Sequence, residues 1–140
     1  MKTRKIGYFV ATGLVAFAFA AGGIFDLLRA PAVVEGMTQL GYPAYVASLL
    51  GIWKVLGAVA VVVPRFPRLK EWAYAGMFFD LTGAAFSHVA AGDPAGKLVA
   101  PLVLLALVLA SWTLRPEART FKSREEAAPA GRFQGAVVAS

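Results

Sequence analysis

The sequence predicts an all-α protein: a transmembrane four-helix bundle, both termini cytoplasmic, with a short amphipathic outer-face helix between spans 1 and 2. Three observations predict it. Four segments are long and apolar enough to cross a bilayer. Basic residues gather on alternate connections. The few ionisable residues within the spans share faces with small side chains. The 140 residues are 59% apolar, with a mean hydropathy of +0.66, against an apolar share of about 45–50% in soluble domains.

The first span is read over Ile6–Leu28, the second over Tyr45–Val63, the third over Trp72–Ala91 and the fourth over Leu98–Leu114. Each falls in or near the range of about 17–25 residues that a membrane helix needs. Between them lie chain breakers: Pro31 and the Gly41-Tyr42-Pro43 turn, then Pro64 and Pro67, then Gly92-Asp93-Pro94. The first connection is longer than a turn, and its Val33, Val34, Met37 and Leu40 recur at helical spacing. It is read as the amphipathic helix lying on the outer surface. Beyond Arg115 the chain is charged and then rich in Ala, Gly and Pro, the composition of a disordered tail. The expected division is therefore a four-span domain over 1–114 and a cytoplasmic tail over 115–140.

Orientation follows from charge. Eleven Lys and Arg flank the spans on one side, at the N-terminus, between spans 2 and 3, and in the tail; Arg29 and Lys97 alone flank the other. That asymmetry is the positive-inside pattern, which predicts both termini in the cytoplasm. Trp72 and Trp112 fall at the same interface. Lys2–Lys5, an apolar run and Ala18-Phe19-Ala20 also have the layout of a cleaved signal peptide. However, the apolar run continues to Leu28, and removing it would upset the charge asymmetry, so the segment is read as a retained span.

The formal charge of +6 belongs to these flanks and makes no basic stripe, so no nucleic-acid partner is expected. With no cysteine and one histidine, the chain has no disulfide framework, no thiolate site and no metal box. It also lacks a phosphate loop and a nucleophile elbow.

The candidate functional residues are the ionisable ones inside the spans: Asp26, Lys54, Asp80 and His88. Such groups face protein, water or one another and mark function by default. On the third span Gly76, Asp80, Gly83, Ala84, Ser87, His88 and Ala91 share one arc, with Phe78, Phe79, Thr82, Phe86 and Val89 opposite, so the small and polar face is expected inward. On the second, Ala47, Gly51, Lys54, Ala58 and Val61 share a face. Counting about 1.5 Å per residue, Lys54 and Asp80 differ in depth by only about 5 Å, which predicts a Lys54–Asp80 ion pair near the midplane. Asp26 and His88 are expected to share a layer opening outward, capped by the first connection with Gln39 and Tyr42. Ligand-binding candidates are thus Asp26, Gln39, Tyr42, Lys54, Asp80, Ser87 and His88, and Asp26, His88 and Asp80 are the candidates for acid–base work.

The runs Gly41-Tyr42-Pro43, Leu50-Gly51-Ile52-Trp53-Lys54-Val55-Leu56-Gly57, Leu69-Lys70-Glu71-Trp72-Ala73-Tyr74-Ala75-Gly76 and Thr82-Gly83-Ala84-Ala85-Phe86-Ser87-His88, followed by Gly92-Asp93, resemble the DoxX-like family of small four-helix membrane proteins. The resemblance covers about residues 6–114. It implies redox association, because the wider group includes a membrane subunit of thiosulfate oxidation with quinone as acceptor and a maturation factor for methylamine dehydrogenase. More distant four-helix relatives are assembly chaperones, and similar small bundles isomerise sterols. Lys54, Glu71, Ser87, His88 and Asp93 carry over as family-type positions. The leading expectation is an accessory protein of the inner membrane that binds a lipophilic, quinone-like molecule or a redox partner in a polar cavity. The alternatives are a membrane enzyme of isomerase or cyclase type using Asp/His chemistry, and a scaffold or assembly factor, alone or as a homo-oligomer.

Overall fold

The computed structural model describes residues 2–116, which contain helices and no strand. In order they are α1 (Lys2–Leu27), α2 (Pro31–Gln39), α3 (Ala44–Val62), α4 (Pro67–Ala90) and α5 (Gly96–Thr113). All but the first two residues of the expected tail lie outside the described residues.

Local chemistry sets the boundaries. Pro31 and Pro67 stand in the first turns of α2 and α4, where a missing N–H costs nothing. Pro43 is the residue before α3. The ends of α2 and α4 carry glycines at φ +82° (Gly41) and +72° (Gly92), a backbone region that L side chains rarely occupy. In each case the glycine N–H and the next N–H turn back onto the last helical turn, Tyr42 N to Met37 O at 2.8 Å and Asp93 N to His88 O at 3.0 Å.

α1, α3 and α5 are long and apolar enough to cross a membrane. The expected third span, α4, runs for 24 residues but falls short on apolarity, because Asp80 and His88 interrupt it. α1 packs against α3 and α5, α4 packs against α5 and α3, and α2 lies against α3. The half-buried residues of α2 include Val33, Val34 and Met37, the apolar positions read from the sequence. Outside, Phe17, Leu28, Trp72, Phe79 and Phe86 are largely exposed. An apolar surface of this extent suits lipid and not water.

The core cluster comprises Val15, Phe19, Ala58, Val61, Tyr74, Met77, Leu81 and Val108. On α3 the inward face agrees with the sequence reading, with Ala47, Gly51, Ala58 and Val61 buried. On α4 it does not. The buried face is Lys70, Tyr74, Met77 and Leu81, while Gly76, Gly83 and Ala91 are exposed and Asp80, Ala84, Ser87 and His88 are half-buried. The buried stripe is offset by about 80° from the predicted arc, taking the midpoints of the two at 100° per residue. Bulky side chains fill an interior and make dispersion contacts that glycines cannot. Phe79, Phe86 and Val89 point outward as expected.

Candidate functional site

α1 and α3 approach so closely that neither tolerates a side chain at the crossing. A Cβ built on Gly51 would lie 2.7 Å from Gly23 O and 2.9 Å from Leu27 N; one on Gly23 would lie 3.0 Å from Lys54 Cβ. Lys54 therefore starts beside Gly23, three residues and about 4.5 Å of rise from Asp26. Its Nζ donates to Asp26 Oδ2 at 2.8 Å, with side-chain exposures of 23% for Lys54 and 7% for Asp26. The expected Lys54–Asp80 pair is thus corrected. Backbone contact brings α1 to the lysine, whereas α4 stands off from α3 across a groove.

That groove, about 590 Å³, is apolar except at Lys54 and Asp80. Trp53, Trp72, Phe66, Met77, Gly57 and Gly76 are among its lining residues. The volume lies within the range of about 300–1,000 Å³ usual for small-molecule sites. Asp80 sits within electrostatic reach of Lys54 and Asp26. It makes no hydrogen bond with another described residue.

His88 belongs elsewhere. Its Nδ1 lies 2.7 Å from Asp93 Oδ2, and Lys97 Nζ is 3.8 Å from the other carboxylate oxygen. The Gly92 turn explains this, because it folds Asp93 back over the last turn of α4. The hydrogen bond with His88, helped by Lys97, holds the Asp93 carboxyl below the usual carboxylate range. The expected Asp26–His88 layer does not form: each residue has its own partner, and neither lines the groove. Tyr42, positioned by the Gly41 turn, does reach α4, where its hydroxyl meets Ser87 Oγ at 2.8 Å. Gln39 is exposed, and among the described residues its amide donates to Glu35 on its own helix.

Several buried polar groups were not singled out from the sequence. Lys70 is 1% exposed, and its Nζ donates to Ala60 O at 3.0 Å and Val61 O at 2.6 Å. It thereby caps the carbonyl end of α3, where a cation is favourable. Ser111 joins Thr12 at 2.6 Å and Tyr74 at 2.7 Å, linking α5 to α1 and α4. Arg115 lies over the Tyr74 ring and pairs with Glu71, which also accepts from Trp112 Nε1 at 3.0 Å. The spacing of Lys70, Tyr74 and Met77 on one stripe is the sequence signal for Lys70 and Tyr74.

Long apolar helices, an apolar exterior and charged groups held in mutual contact define an integral membrane protein. More narrowly, the chain belongs to the DoxX-like family, whose model it matches over residues 10–111, a span that includes Asp26, Lys54, Asp80, His88 and Asp93. No curated protein and no solved structure matches it.

Proposed function

We propose that this protein is an accessory component of membrane redox chemistry that holds a lipophilic, quinone-like molecule in the groove between α3 and α4. In this reading α4 is the fourth span of a transmembrane four-helix bundle, with both termini on the cytoplasmic side of a bacterial inner membrane. The basic flanks support that orientation.

The observation that carries the proposal is the pairing of a ligand-sized apolar groove with two charged side chains, Lys54 and Asp80. Sites for small molecules are mostly apolar with a few placed polar groups. An apolar tail would lie against Trp53, Phe66 and Trp72, and the polar end would meet Lys54 and Asp80. His88 stands outside the groove, so acid–base chemistry pairing it with Asp80 gains no support.

Native mass spectrometry of the protein released from mild detergent tests the reading. A copurifying quinone or similar apolar molecule is expected with the wild type. Gly76→Leu, placed where a Cβ meets nothing within 4 Å, should displace it. Equal retention by the variant, or no bound molecule in either protein even after added ubiquinone, refutes it.

A further inference from the structure

We infer that Asp80 makes the groove a site for lipophilic cations: amines whose ammonium group pairs with the Asp80 carboxylate while the apolar part lies along α3 and α4. The inference rests on the groove being a ligand site, and adds a second chemical class, cationic amphiphiles, to the neutral quinone-like molecules proposed for it.

The argument is one of charge balance. At this level the helices bring together two carboxyl groups, Asp26 on α1 and Asp80 on α4, and one ammonium, Lys54 on α3. The ammonium is committed to Asp26 at 2.8 Å. Asp80 feels both groups through space and has no hydrogen bond from any described residue.

No other described cation is placed to serve it. Lys70, on the same helix, donates to Ala60 O and Val61 O at the end of α3. On α5, the one charged side chain is Lys97, which lies beside Asp93. With all three groups ionised, the constellation carries one excess negative charge against an apolar wall. An uncompensated charge in such surroundings is the costly state. A cation entering from the groove cancels it, whereas an anionic amphiphile adds to it. Trp53 and Trp72 line the same groove, and tryptophan is the aromatic side chain that attracts cations best.

The experiment uses the full chain in phosphatidylcholine nanodiscs and compares three probes with one tail: ω-bromododecyl-dimethylamine, ω-bromododecanol and ω-bromododecanoate. Bromine quenching of Trp53 and Trp72 reports occupancy, and native mass spectrometry reports stoichiometry. The amine should bind at least about tenfold more tightly than the alcohol, and the carboxylate most weakly. Asp80→Asn should cut the amine-to-alcohol preference to about one, and a cooperative unfolding transition followed by tryptophan fluorescence shows that the variant is folded. Asp80→Glu should keep the preference. Equal affinities for amine and alcohol, or a preference that survives in Asp80→Asn, overturn the inference and leave the groove reading standing. If none of the probes binds the wild type, the inference falls, and the ubiquinone measurement decides the groove reading separately.

Discussion

Removing the ammonium of Lys54 is the perturbation on which the site's construction bears most directly. Lys54→Met keeps the length of the side chain but strips Asp26 of its partner at 2.8 Å, where the Asp26 side chain is only 7% exposed. Breaking a buried pair from one side costs about 3–5 kcal/mol, because the remaining charge is stranded. Lys54 retains 23% of its side-chain surface, but that surface faces the apolar groove and not water, so a loss within that range of about 3–5 kcal/mol is expected. Removing both charges, as Lys54→Met with Asp26→Leu, should restore most of it, since apolar replacement of a complete pair is often neutral. The assay is unfolding of purified protein in mixed micelles at increasing dodecyl sulfate fraction, followed by tryptophan fluorescence, as a double-mutant cycle. The same cycle with Asp80→Leu is the control, and it should recover less, because Asp26 stays unpaired. Recovery with Asp80→Leu but not with Asp26→Leu would falsify the pairing and reinstate the midplane clasp between α3 and α4.

Three further outcomes are expected. Gly51→Ala, whose Cβ meets Gly23 O at 2.7 Å, should destabilise by about 1–3 kcal/mol as overpacking does, whereas Gly83→Ala, with nothing within 4 Å, should not; equal losses in the same micelle assay would contradict the close crossing. Ser111→Ala strands Thr12 Oγ1 and the Tyr74 hydroxyl in the interior and should cost about 1–3 kcal/mol by thermal unfolding. Asp93 should titrate below the ordinary carboxylate range by NMR, chiefly through its hydrogen bond with His88, and His88→Ala should raise it. Because the folded value is depressed, the contact contributes fully above the unfolded value and is lost as pH falls through the folded one. An ordinary titration in the wild type contradicts this.

Much of the site's membership was legible residue by residue, and its partnerships were not. Asp26, Lys54 and Asp80 stand out in any hydropathy reading, and all three lie within electrostatic reach of one another. Which carboxylate receives the lysine depends on which helix comes nearer, and depth along two separate spans cannot rank the candidates. His88 met a partner five residues away because the Gly92 turn reverses the chain, a local event that the long-range expectation with Asp26 overlooked. The misjudged face of α4 has a different origin. Small residues mark a packing stripe only where two helices touch, and in this chain the intimate glycine contact is between α1 and α3.

Apolar runs, prolines and turn glycines by themselves determined where helices begin and end, since these depend on backbone sterics and on transfer from water within a short stretch. The amphipathic face of α2 and the outward phenylalanines of α4 followed from periodicity alone. Only the tertiary structure decided the rotation of α4, the choice of Asp26 over Asp80 by Lys54, and the opening of a groove beside Asp80. Those depend on contacts between residues far apart in the chain, such as the close approach of α1 and α3 at Gly23 and Gly51.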